Sequence, residues 1–225
     1  MKTNITKQEL NEGLINVRSA YRLIFEHQKR VLNTIDYIKD KFGMKADGGN
    51  KFFSDPISIK RADYPEVWTS SGMWAWDFLY SYCFEFYFGN QEIKIDDLSF
   101  RFDLSVVQVS DTGFWDSENE HKTELDTQTF NAVKSSESYF VFVFESKIDG
   151  AESYWNDKDK LGKELYPFLE SKENFKVFDT TNGKCQNSKF LMIKYNMSDF
   201  IDQQATDIVI NQYKSFVFNH TKLEL

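Results

Sequence analysis

Asp103, in "SFRFDLSV", and the pair Glu145 and Lys147, in "VFVFESKI", form the most chemical pattern in this sequence. Both segments alternate as strands do, and residues two apart on a strand share a face, so Glu145 and Lys147 project together. Two carboxylates can hold a Mg2+ ion while a lysine positions or helps to activate an attacking water, which is chemistry suited to hydrolysis. Further Glu-x-Lys triplets begin at Glu92, Glu120 and Glu170, so the spacing alone is not distinctive. What singles out Glu145 is its place at the end of an apolar strand, after an earlier strand that carries Asp103.

A second constellation is acidic. Asp111, Asp116, Glu118, Glu120, Glu124 and Asp126 stand against Lys122 alone, with Phe114 and Trp115 among them. Charge for steering and an aromatic anchor are what an interface toward a basic partner needs, and Asp111, Trp115, Asp116, Glu118 and Glu120 are the candidate binding residues. The alternative for Trp115 is that it folds back onto the core while the acids solubilise the loop.

Other chemistry is sparse. His27, His121 and His220 lie in three different elements, and none has a partner four residues on, so no helical metal pair is formed. No G-x-S-x-G, G-x-G-x-x-G or phosphate-loop lysine is present. Cys83 and Cys185 lack metal-ligand spacing. With no apolar stretch of signal-peptide length at the start, free thiols in a reducing cytoplasm are the expectation. No segment reaches the roughly 20 apolar residues of a membrane span.

The net charge of −8 is divided unevenly. Residues 1–61 carry 12 Lys and Arg against 7 Asp and Glu, whereas residues 62–225 carry 15 against 28. The acidic body would repel phosphates, which ranks nucleic acid below a protein partner.

These residues must be positioned by the elements around them. Thr6 and Glu9 make a capping box, and Leu10, Leu14, Val17, Tyr21, Ile24, Gln28, Val31, Ile35, Ile38 and Phe42 follow at alternating spacings of four and three. One long helix over residues 1–42 is predicted, ended by Gly43. Phe25 and Leu32 widen the stripe, favouring a helix laid on its own core, with a homodimer through the seam as the other reading. In "WAWDFLYSYCFEFYF" every even residue from Trp74 to Phe88 is aromatic; a strand with that face buried under the first helix is expected. Trp74–Leu79 also fits a helix. A short edge strand at Ile57–Lys60, antiparallel strands over 73–148, a helix over 150–171 broken by Gly162 and ended near Pro167, a hairpin over 175–196 turning at Asn182-Gly183, and a helix over 198–218 capped by Ser198 complete the reading. The fold class is α+β: one domain over residues 1–225, with helices covering one face of a mainly antiparallel sheet of about five strands.

The order helix, three strands, helix, strand, with Asp103 before Glu145-x-Lys147, resembles the PD-(D/E)xK nuclease superfamily. The resemblance covers topology, and 41 residues separate Asp103 from Glu145. It implies a Mg2+-dependent nuclease with Asp103 and Glu145 as metal ligands and Lys147 at the attacking water; Arg18, Arg22, Lys29 and Arg30 of the first helix would touch phosphates. The leading expectation from the residues is different: a non-catalytic, cytoplasmic protein of bacterial type, of the inhibitor or immunity kind, that binds a basic macromolecule and needs no cofactor. An oligomerising scaffold built on the first helix is the third reading.

Overall fold

The computed structural model describes residues 5–52, 79–95, 98–117, 127–148, 158–180 and 188–225. The chain divides into two compact units, Met1–Ile38 and Lys39–Leu225.

Helix α1 spans Lys7–Lys41. Its start is the expected capping box: the Thr6 amide donates to Glu9 Oε2 at 2.8 Å and the Glu9 amide to Thr6 Oγ1 at 3.2 Å. At its end the Gly43 amide donates to the Asp40 carbonyl at 3.0 Å, and Met44 to that of Lys39 at 3.2 Å. The seam is buried only at Val31, Ile35 and Ile38. Leu10, Leu14, Val17, Tyr21 and Ile24 are exposed, as are the flanking Phe25 and Leu32. Burial of the seam is thus confined to its C-terminal part.

The second unit is built on a six-stranded sheet in the order β1-β2-β3-β4-β6-β5, every neighbouring pair antiparallel. The strands are β1 (Gly48–Lys51), β2 (Cys83–Ile95), β3 (Leu98–Val109), β4 (Tyr139–Ile148), β5 (Phe175–Asp179) and β6 (Lys189–Asn196). Among the described residues it also holds two α-helices, α2 (Lys158–Glu170) and α3 (Gln203–Thr221). The α+β class holds, with six strands rather than five. The extra strand is β1, at Gly48–Lys51. Residues 93–95 belong to the end of β2, and Ile95 pairs with Leu98, the first residue of β3.

The helices do not share one face. Alternation along β3 and β4 sends Leu104, Val106, Phe140, Phe142 and Phe144 to one side, where the Phe142 ring meets Tyr213 of α3 at 4.8 Å. Val107, Val109, Val141 and Val143 point to the other and form a core with Leu161, Leu165, Phe168 and Leu169 of α2. Helix α2 runs unbroken through Gly162 and contains Pro167, contrary to the expected break and stop. Asp202, not Ser198, caps α3, accepting from the Ala205 amide at 2.8 Å; Ser198 sits in a short 3-10 turn, Met197–Phe200.

The aromatic run also differs from expectation. Tyr80–Tyr82 form a 3-10 turn before β2 opens at Cys83. Phe88 is buried, Phe84 and Phe86 only half-buried, and on the opposite side of the strand Cys83 and Glu85 are buried as well. Residues 74–78, the Ile57–Lys60 strand and the Asn182-Gly183 turn lie outside the described residues. Among the described residues no helix is long and apolar enough to cross a membrane.

Candidate functional site

The α2-facing side of the sheet changes character along its strands. One half is the valine core; the other carries Arg101, Asp103 and Ser105 of β3 beside Glu145 and Lys147 of β4. Antiparallel register sets Asp103 directly opposite Glu145 and Arg101 opposite Lys147. Directly opposed residues have Cβ atoms about 4.5–5.5 Å apart, so the two carboxylates are neighbours. The sequence spacing of 41 residues between them is spent on the connection from β3 to β4 and not on distance in space.

All three expected catalytic residues are deeply buried, with relative exposures of 1% for Asp103, 0% for Glu145 and 4% for Lys147. Lys147 Nζ lies 4.0 Å from Asp103 Oδ2, and Arg101 Nη2 lies 3.9 Å from Asp103 Oδ1. Both contacts are ion pairs longer than a hydrogen bond. A short contact to Asp103 comes from β2, where the Tyr87 hydroxyl donates to Oδ1 at 2.5 Å. Burial, and then this bond to Asp103, push the Tyr87 hydroxyl well above its ordinary range, so it remains a donor at neutral pH.

Tyr87 arrives there because β2 is bulged. The register shifts between Tyr87, opposite Ser105, and Asn90, opposite Asp103, so both residues face the site although three positions apart. Gly89 takes up the kink with φ of 89°, a conformation open to glycine and costly for other residues.

Among the described residues, three polar atoms in a row along β3 are buried without a hydrogen-bond partner: Arg101 Nε, Asp103 Oδ2 and Ser105 Oγ. Each such group costs about 1–3 kcal/mol. The three stand on alternate positions of one strand face.

Asp103 Oδ2 has the chemistry of a cation donor, whereas Glu145 beside it is already engaged within the protein. Mg2+ is commonly held by one or two carboxylates plus water and substrate oxygens, and an unmatched buried carboxylate oxygen is the donor such an ion needs. Among the described residues no group of three His, Cys, Asp or Glu side chains converges as a metal site.

The acidic segment has another form. Trp115 is buried, stacked at 5.8 Å on Tyr82 and edge-on to Phe114 at 5.7 Å, so it is part of the core and not an exposed anchor. Asp111 accepts from the Gly113 amide at 2.8 Å, and Asp116 accepts from the Thr112 hydroxyl, which ties both acids into the turn around Trp115. Glu118 and Glu120 lie outside the described residues. Helical residues Arg18, Arg22, Lys29 and Arg30 belong to α1.

Residues 7–222 match the family model described as PM0109. The chain belongs to this family. The PM0109 match runs from the first residue of α1 to just past the end of α3, so it takes in both units and every residue of the buried cluster. No curated protein and no solved structure matches the chain.

The sequence singles out Asp103, Glu145 and Lys147, which the register brings together, but not their neighbours Arg101, Ser105 and Tyr87. Arg101 and Ser105 are within its reach, since both stand two positions from Asp103 on an alternating strand. Tyr87 is not, because its place depends on the bulge and on the β2–β3 register.

Proposed function

We propose that this PM0109-family protein is a divalent-cation-dependent hydrolase of phosphodiesters, a nuclease with Asp103, Glu145 and Lys147 in the roles that the sequence resemblance implies; four strands, not three, precede α2, so the element order lends this no support. The observation that carries the reading is Asp103 Oδ2: buried, without a hydrogen-bond partner, 4.0 Å from Lys147 Nζ and beside the cross-strand Glu145. A structural ion pair would be expected to close to hydrogen-bond distance, because a buried charge is stabilised only by good geometry.

In this reading Asp103 and Glu145 hold the cation, which when bound supplies Lewis acidity toward a phosphoryl oxygen. Lys147 orients the attacking water and stabilises the negative charge that grows on the phosphoryl group. Tyr87 fixes the Asp103 carboxylate through Oδ1 and so leaves Oδ2 facing the site. The binding-module expectation has less support, because its aromatic anchor Trp115 is in the core.

The test is Mn2+ binding by calorimetry on the full chain, together with Mg2+-dependent cleavage of single- and double-stranded DNA. Asp103→Asn and Glu145→Gln keep shape and remove charge; both are expected to abolish cation binding and cleavage. Lys147→Gln is expected to keep Mn2+ binding and to lose about 10²–10⁴ in rate, the usual contribution of a positioned proton-handling group. A wild-type chain that binds no Mn2+ at millimolar concentration and cuts neither substrate would sink the reading and leave the cluster as a buried polar network.

A further inference from the structure

We propose that Arg101 and Lys147 form an anion subsite that takes the phosphate of an ester substrate, with Ser105 as a further donor. The inference rests on the hydrolase reading for the location of the site and adds the residues that grip the substrate.

The register makes Arg101 and Lys147 direct cross-strand partners on one face. Like charges so placed repel; the protein's own carboxylates flank them, with Glu92 of β2 opposite Arg101 on its other side and Asp103 and Glu145 one pair along. Asp103 answers both cations only weakly, at 3.9 Å from Arg101 and 4.0 Å from Lys147. Its Oδ1 is moreover occupied by the 2.5 Å bond from Tyr87. Arg101 Nε and Ser105 Oγ, among the described residues, have no hydrogen-bond partner at all. The site thus holds a guanidinium, an ammonium and a hydroxyl with donor capacity to spare.

That donor set fits one ligand chemistry closely. A guanidinium fork matches two oxygens of a phosphate, an ammonium serves a third as a point charge, and a hydroxyl adapts by rotation. A carboxylate ligand has two oxygens and would leave donors unmet. The Arg101 side chain is 38% exposed, against 4% for Lys147, so the subsite meets solvent at Arg101 and closes at Lys147. An entering phosphate meets the guanidinium first and the ammonium beside the carboxylates second.

Inorganic phosphate titrated into the full chain in the presence of a chelator, followed by calorimetry and by the shift of the arginine Nε–H resonance, tests this without any metal. Wild type is expected to bind saturably at millimolar phosphate, and sodium chloride of equal ionic strength is expected not to compete. Arg101→Gln should weaken binding at least tenfold, and Arg101→Lys should fall between, since it keeps the charge and loses the fork. A thermal melt accompanies each variant; should Arg101→Gln not fold, the comparison of wild type with Arg101→Lys decides in its place. No binding by wild type, or equal binding by wild type and the Arg101 variants, would overturn the subsite. Phosphate binding that depends on Arg101 in a chain that takes up no Mn2+ would sink the hydrolase reading and leave the anion subsite standing.

Discussion

Asp103, Glu145, Arg101 and Lys147 place two negative and two positive groups on one patch of sheet, the carboxylates and the ammonium almost out of reach of water. A hydrophobic replacement of similar volume is often neutral or stabilising in such a position, so the cluster is not explained by stability. A titratable group elsewhere gives a stability prediction of its own. His27 of α1 is half-buried, and burial first, then the nearby Arg30, lower its pKa from the ordinary 6.5. The unfolded chain therefore takes up the proton before the folded one does, and stability falls as the pH drops below about 6.5 toward the lower folded value. Hydrogen exchange of α1 between pH 7.5 and pH 5 should show this loss, and His27→Gln should flatten it. An unchanged pH profile in the variant would show that His27 is not the cause.

Elements are where local rules and tertiary packing compete. The capping box of α1 is legible in the sequence because it needs only residues three apart. Helix α2 departs from local expectation although Gly162 and Pro167 are real local penalties, about 1 and 3 kcal/mol. Leu161, Leu165, Phe168 and Leu169 outweigh them, since each buried side chain contributes about 1.5–3 kcal/mol against the valine face. The bulge in β2 makes a testable link to the site. A Cβ at Gly89 would lie 3.4 Å from that of Asp47, so space is tight but adequate, and the cost of Gly89→Ala is mainly the positive φ, about 1–2 kcal/mol. Urea unfolding should show that loss, together with weaker Mn2+ binding as Tyr87 and Asn90 shift. Gly13→Ala, in open space on α1, is the control and should not destabilise. Equal effects of the two substitutions would refute the role given to the bulge.

At the scale of the whole molecule the sheet of the second unit is packed on both sides, by α2 and by α3. Phe142 is the centre of the α3 side, fully buried and within 4.8 Å of Tyr213, 5.4 Å of Tyr195 and 6.2 Å of Phe200, ring to ring. Phe142→Ala should cost about 3–5 kcal/mol of global stability by denaturant unfolding, because neighbouring rings cannot collapse into the space. A loss below about 1 kcal/mol would mean that this side is not a close-packed core. The sequence by itself determined what depends on near neighbours: the extent and caps of α1, the alternation of β3 and β4, the hairpin of β5 and β6, and the shared face of Glu145 and Lys147. Tertiary structure alone decided which strands pair, that the helices take opposite faces, that Trp115 is core, and that Tyr87 and Arg101 meet Asp103. The physical reason is that alternation sorts residues onto two faces, whereas only register and the packing of distant segments say which face is covered and which residues oppose one another.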